Sequence, residues 1–394
     1  MRILFIADGR SPIALNWISY FFDKDVEVHL ATTYDCIPEG NFASVQFIPV
    51  AFSQAKKKAP ARKGELRRIN WFWGSPLVKF RTSFRRIFFP LTLRSAADQL
   101  KELISSIQPD IAHAMRIPFE GILTSRVLRN TIGFPLVISV WGNDFTLHAG
   151  ATPWMKRYTS GTLARTNGLH TDCHRDLQLA YQWGYPEEGP ALVVPGNGGV
   201  QSKIFHPPKK LEGEREHIVI NPRGVRSYIR NDTFFAAIPI ILNEIPRAKF
   251  ICLGMEGDQE INRLINNYGV RSAVTLFPDI PRDKVADQFR NAAVAVSPST
   301  HDGTPNTLLE AMACGSFPVA GDLQSIREWI NPGVNGLLID PADPAALAEA
   351  VIAGLKDAKM RQDAANYNHE LIMQRAEYQN VMSSVYEFYR SLIL

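Results

Sequence analysis

The sequence predicts an α/β protein built from two Rossmann-like parallel-sheet domains. Three observations carry this. Short apolar, β-rich runs alternate with helical patterns, which is the signature of a parallel sheet covered by helices. The alternation stops at a Gly/Asn/Pro-rich stretch near residue 200 and then restarts. And 394 residues, at roughly 150 per domain, fit two large cores.

The elements follow in order. Arg2–Ala7 reads as a buried first strand, Ile13–Phe22 as an amphipathic helix, and Val26–Thr32 and Val45–Val50 as strands. Asp110–Ala114 and Leu136–Val140 continue as strands around a helix at Phe119–Arg129, and Ala191–Val194 closes the first round. Pro195-Gly196-Asn197-Gly198-Gly199 and the polar stretch to Glu216 form the connection. The second round has strands at Ile218–Asn221, Ala248–Leu253, Ala273–Phe277, Val294–Ser297 and Phe317–Ala320. Its helices are Asp232–Asn243, capped by Asp232, then Asn306–Cys314 and Ala345–Leu355. Residues 375–394 form a last helix with Tyr378, Val381, Val385, Phe388 and Leu392 on one face. The expected domains are therefore 1–200, 201–374 and the helix 375–394.

Composition excludes several classes. At 45% hydrophobic and 21% charged residues, the chain is neither disordered nor low in complexity. No apolar run reaches the roughly 18 residues a bilayer span needs. The apolar start is broken by Asp8, too short for a secretory signal. A cytoplasmic protein is expected. Cys36, Cys173, Cys252 and Cys314 are widely spaced and suggest neither zinc nor disulfides.

The net charge of +4 hides an asymmetry. Residues 54–94 hold twelve Lys/Arg against Glu65 alone, a charge of +11, so the remainder carries −7. This insert interleaves its cations with Trp71-Phe72-Trp73 and Phe88-Phe89. Charges beside aromatics suit an anionic membrane surface; a solvated loop is the plain alternative. Nucleic acid is not expected, because no recognised module accompanies the charge.

The densest chemical signal is Ser297–Gly315. A strand ends, a Gly303-Thr304-Pro305 turn follows, and a helix starts near Asn306. A helix N-terminus at the carboxyl edge of a parallel strand offers free N–H groups and a favourable dipole to phosphate. Ligands of open α/β sheets bind at that edge. Asp302 and Glu310 bracket the turn and could hold sugar or ribose hydroxyls; a turn residue and a surface carboxylate would look the same by spacing alone.

This segment resembles the donor-binding signature of glycosyltransferase family 4, whose members have the GT-B fold. The matching residues are Asp302-Gly303-Thr304-Pro305, Glu310-Ala311, Ala313, Gly315 and Pro318-Val319, then Glu328 and Asn335-Gly336-Leu337-Leu338. Asn197-Gly198, Phe205 and Pro207 resemble the family's linker. The resemblance implies two Rossmann-like domains facing a cleft, with the final helix crossing back to the first. It implies a metal-independent, retaining transfer from a nucleoside-diphosphate sugar, UDP- or GDP-linked, to a glycan or lipid-linked acceptor. The nucleotide sugar is a co-substrate and no cofactor is required.

Residue by residue, the resemblance gives Glu310 to the ribose and the backbone around Gly303, Asn306, Thr307 and Leu308 to the diphosphate. Asp302 stands where the family has Glu, one methylene longer, against the transferred sugar. Arg223 fits the family's loop arginine, and Arg230 stands near its lysine. On the first domain, Gly9, on the loop after the first strand, would let the backbone approach the donor phosphate or the acceptor; Ser11, Trp141, Asn143 and Asp144 are placed on the acceptor side; and His113 begins His113-Ala114-Met115. Trp141-Gly142-Asn143-Asp144 matches the family's His-Gly-x-Asp with Trp in place of His. Trp141 can stack on a pyranose or belong to the core, and His113 can be catalytic or structural. No general base is apparent. The setting implied is envelope polysaccharide or glycolipid assembly, peripheral on the inner face of the plasma membrane. A GT-B epimerase, a non-catalytic GT-B partner and a membrane-surface adaptor are the alternatives.

Overall fold

The computed structural model describes residues 1–50, 53, 76–128, 133–208 and 217–393, with backbone alone at 76–89 and 91. Residues 54–75 of the basic insert lie outside these. The chain forms two compact units. The first comprises the described residues up to Gly198 other than Pro76, together with those from Asn380 onward, and the second comprises Pro76 and Gly199–Gln379.

Unit 1 contains β1 (Arg2–Ala7), α1 (Pro12–Ser19), β2 (Glu27–Thr32), β3 (Ser44–Phe47), α2 (Pro76–Ile107) and β4 (Ile111–Ala114). It continues with α3 (Ile122–Val127), β5 (Leu136–Val140), α4 (Pro153–Leu163), β6 (Gly168–Thr171), α5 (His174–Gln182) and β7 (Ala191–Val193). The seven strands pair in parallel in the order β3-β2-β1-β4-β5-β6-β7. The 32-residue α2 was not expected: its first half falls in the basic insert, where no apolar periodicity announces a helix. Its second half is amphipathic, with Leu93, Ala96, Leu100, Leu103 and Ile107 in the core.

Unit 2 contains β8 (Ile218–Asn221), α6 (Asn231–Glu244), β9 (Lys249–Cys252), α7 (Gln259–Tyr268), β10 (Val274–Leu276) and α8 (Arg282–Asn291). Then come β11 (Val294–Ser297), α9 (Asn306–Ala313), β12 (Phe317–Gly321), β13 (Leu337–Ile339), α10 (Pro344–Lys356) and α11 (Ala358–Arg375). Its six parallel strands run β10-β9-β8-β11-β12-β13. The order reverses between β8 and β11, so their carboxyl ends lie side by side at the switch point. Asp232 does not cap α6. The helix starts one residue earlier, Arg230 is its N-cap, and no side chain caps it. No described helix is long and apolar enough to cross a membrane.

The last helix, α12 (Tyr378–Ile393), starts in unit 2 and contributes residues 380–394 to unit 1. Val381, Met382, Val385 and Tyr389 are buried. Burying such side chains is worth about 1.5–3 kcal/mol each as an upper range. Gly168 admits the helix: a Cβ there would lie 2.5 Å from Leu392 and 3.0 Å from Phe388.

A buried polar chain runs beneath this helix. Ala112 and Ala114 point to one face of β4, with Leu4 and Ile6 of β1, so alternation puts Phe5 and His113 on the other face. There Trp17 Nε1 donates to Tyr389 Oη (3.1 Å), and Tyr389 Oη meets His113 Nδ1. His113 Nε2 meets Ser139 Oγ (2.7 Å), Ser139 meets His170 Nδ1 (2.7 Å), and His170 Nε2 meets the Val194 carbonyl (2.9 Å). An indole N–H only donates and a carbonyl only accepts. With both imidazoles kept neutral by burial, the carbonyl end sets the direction of every bond and puts the hydrogen of each ring on Nε2.

Burial depresses both imidazoles, His113 well below the ordinary value and His170 to about 4. Below pH 6.5 the unfolded chain takes up protons that the native chain refuses, so stability falls as pH falls. The slope is about 1.4 kcal/mol per pH unit for each histidine, down to its native pKa. Urea midpoints should drop between pH 6.5 and 4.5, and His170→Asn should flatten that profile. An equally steep profile in the variant would contradict the neutral relay.

Candidate active site

The site assembles at the carboxyl edge of the unit 2 sheet. After β8, Asn221 Oδ1 accepts from the Arg223 amide (3.1 Å), and Asn221 Nδ2 donates to Asn231 (3.1 Å). Asn231 in turn donates to the Gly224 carbonyl (3.0 Å). These bonds fix the loop from β8 to α6. The Arg230 amide and the Pro298 carbonyl (2.9 Å), and the Thr300 amide and the Tyr228 carbonyl (2.9 Å), tie it to the end of β11.

Arg223 is 8% exposed. Its guanidinium donates to Asp302 Oδ2 and to Thr307 Oγ1 (3.1 Å), and its Nε is buried without a partner. Ser299 also donates to Asp302 Oδ2 (3.1 Å), and Ser325 donates to the Asp302 carbonyl (2.7 Å). Gly303 and Thr304 are buried, with Thr304 Oγ1 accepting from Trp329 Nε1 (3.0 Å). Thus Arg223, Asp302 and Thr307, far apart in sequence, meet in space.

Pro305 is the N-cap of α9 and supplies no side-chain cap. The Leu308 amide, expected to hold phosphate, instead closes on the Pro305 carbonyl (2.9 Å), as the first turn requires. Among the described residues the Asn306 and Thr307 amides have no acceptor, and Asn306 Oδ1 is buried without a partner. Unpaired amides at a helix N-terminus are the kind of group that can bind an anion.

Glu310, one turn further, is 8% exposed. Burial raises its carboxyl above the ordinary range, and Arg282 opposes the shift. Arg282 Nη2 donates to Glu310 Oε1 (3.0 Å). Arg282 was missed because α8, Arg282–Asn291, is rich in charge and reads as a solvated face. Arg230 does not join the cluster: its guanidinium clamps Asp232 at 2.8 Å through Nε and Nη2.

In unit 1 several expected residues prove structural. His113 is fully buried with both ring nitrogens engaged, so it cannot meet a substrate; it faces the helix-covered side of the sheet, not its edge. Gly9 is packed inward: a Cβ would lie 2.8 Å from Thr32 Oγ1 and 2.9 Å from Cys36 Sγ. Ser11 caps α1 by accepting from the Ala14 amide (3.4 Å). Asp144 is 1% exposed and accepts from Arg116 Nε (2.8 Å) and, more weakly, from the Trp141 and Ile117 amides. It holds the 141–144 loop and is unavailable to a ligand. Trp141 and Asn143 are half-buried, with Trp141 Nε1 and Asn143 Oδ1 lacking partners. Both atoms are themselves buried.

Sequence reasoning also missed Glu120, buried beside the end of β1, where Thr33 donates to it (2.8 Å) and burial raises its carboxyl. Among the described residues, Asp172, Cys173 and Asp176 bring ligand-type atoms within 4.8 Å of one another. Arg175 already donates to Asp176 there (2.6 Å).

Two parallel-sheet units with this edge define the class: a GT-B glycosyltransferase fold. Residues 202–371 match the family model described as Glycosyl transferases group 1, and residues 74–172 the one described as Glycosyl transferase 4-like. The chain thus carries a Glycosyl transferases group 1 domain and a Glycosyl transferase 4-like domain. Among solved structures, sucrose-phosphate synthase from Thermosynechococcus elongatus is 17% identical with a TM-score of 0.76, covering 100% of this chain and 99% of that one. Anabaena HepE in complex with UDP-glucose is 15% identical with a TM-score of 0.72, covering 100% of both chains. A D-inositol 3-phosphate glycosyltransferase from Geodermatophilus obscurus is 33% identical over 122 residues, 30% of this chain and 27% of its own. The Thermobispora bispora protein of the same name is 27% identical over 185 residues, 43% of each chain. The chain thus spans less than half the length of these two curated relatives.

Proposed function

We propose that the chain moves a glycosyl group from a nucleoside-diphosphate sugar to an acceptor hydroxyl, with retention of anomeric configuration. The observation that carries this reading is the unit 2 edge, where Arg223, the free α9 amides and Glu310 offer, in order, a cation, an anion hole and a hydroxyl acceptor. The diphosphate takes the Asn306 and Thr307 amides with the Thr307 hydroxyl. Glu310 accepts from the ribose, and Asp302 from hydroxyls of the transferred sugar. The sugar–phosphate bond breaks as the acceptor oxygen bonds the anomeric carbon, and the acceptor proton goes to the departing phosphate oxygen.

Arg223 stabilises the charge that develops on the diphosphate, the kind of preorganised electrostatic term worth a factor of about a hundred or more in rate. Arg230 supplies a second cation by exchanging Asp232 for phosphate. These cations make a metal unnecessary to the scheme. UDP is the favoured nucleotide, because HepE, of the same fold, is known in complex with UDP and with UDP-glucose. Trp141 and Asn143 are assigned to the acceptor side, and a glycan or lipid-linked acceptor of envelope assembly fits the basic aromatic insert.

Thermal shift against UDP, GDP, UDP-glucose and GDP-mannose in EDTA tests the donor assignment. A ligand of the native state raises the melting temperature with concentration. A selective rise is expected, and Glu310→Ala should reduce it at equal ligand concentration. A flat response to all four overturns the donor reading.

The membrane side is tested separately with vesicles of phosphatidylglycerol and phosphatidylcholine. Replacing Lys56, Lys57, Lys58, Arg62 and Lys63 by Ser should weaken binding, most at low salt. Binding indifferent to both salt and the substitutions would remove the membrane from the proposal.

A further inference from the structure

Burial disfavours a charge on Glu310, yet the donor reading needs its carboxylate as a hydroxyl acceptor. Among the described residues Arg282 is the side chain that bonds it, at Oε1, from the first turn of α8. Glu310 Oε2 has no protein partner among those residues and is not sealed from solvent. The guanidinium of Arg282 is itself seated over the Phe205 ring, 5.2 Å from its centroid, and Phe205 is buried. A planar cation stacked on a fixed ring is a directed support, whereas a free lysine would be a mobile one.

We propose that Arg282 is a positioning residue for the nucleotide: it grips one oxygen of Glu310 so that the other is aimed and ionised to accept from the ribose hydroxyls. This rests on the donor assignment above. Removing the grip leaves a buried carboxylate whose cheapest course is to take up a proton or turn away. A carboxyl that has done either is a poor acceptor for a ribose. Arg282 thereby acts on affinity through Glu310 and not on the reacting atoms.

A double-mutant cycle measured by calorimetry with UDP and GDP separates this from other roles. Arg282→Leu should weaken the preferred nucleoside diphosphate about tenfold or more, the effect of losing a charge-assisted bond. In a Glu310→Gln background, Arg282→Leu should have no further effect. With the nucleotide sugar as substrate, KM should rise while kcat stays within about twofold, and Arg282→Lys should recover part of the affinity. Additive losses in the Glu310→Gln background would mean that Arg282 touches the nucleotide directly and would overturn the proposal. So would unchanged affinity in Arg282→Leu. If Arg282→Leu does not fold, Arg282→Lys alone and in the Glu310→Gln background carries the same cycle. Wild-type protein that binds neither UDP nor GDP overturns the donor reading itself, and this inference with it.

Discussion

A guanidinium withdrawn from water needs a counter-charge, and in unit 2 Arg223 finds it in Asp302. Leaving either partner alone in that environment would cost several kcal/mol. The rest of the site is built to make the meeting possible. Reversal of strand order between β8 and β11 puts the two loops side by side. Asn221 and Asn231 then fix the loop that bears Arg223, and Ser299 and Ser325 fix the turn that bears Asp302. In the donor reading proposed above, the pairing also leaves the site primed. A diphosphate carries the charge that Arg223 requires, so a ligand can substitute for Asp302 without stranding the cation.

The same logic recurs one helical turn away, where Glu310 is held against burial by Arg282. Unit 1 solves the problem of buried polarity differently. Its chain from Trp17 to Val194 contains no net charge, only donors and acceptors aligned in one direction. Such a chain is stable while both imidazoles are neutral, and it ties β4, β5 and β6 to α12. Paired charge organises the sheet edge in one unit, and neutral hydrogen bonding serves docking of the last helix in the other.

Much of this was legible in the residues. Alternating apolar runs gave both sheets, because a parallel strand buried on both faces must be continuously apolar. Asp302, Thr307 and Glu310 were legible from the strand end and helix start that bracket them, and Arg223 only from the family resemblance; the fold brings Arg223 to Asp302 and Thr307. What escaped did so for physical reasons. His113 sits where strand alternation turns it under α1 and α12, a choice of face that its own four-residue strand does not announce. Arg282 looked like one more charge on a solvated helix, and only the fold shows Glu310 beside it. The cap expected from Asp232 was lost to its bond with Arg230. Gly9 owes its presence to Thr32 and Cys36, neighbours that only the sheet brings close.

The most direct test of the account is a crystal structure of the protein soaked with UDP or GDP, whichever shifts its melting temperature. The account predicts the diphosphate on the Asn306 and Thr307 amides, Arg223 moved from Asp302 onto phosphate oxygen, and Glu310 Oε2 on the ribose. A nucleotide bound elsewhere, or one bound at this edge with Arg223 still on Asp302, would contradict it.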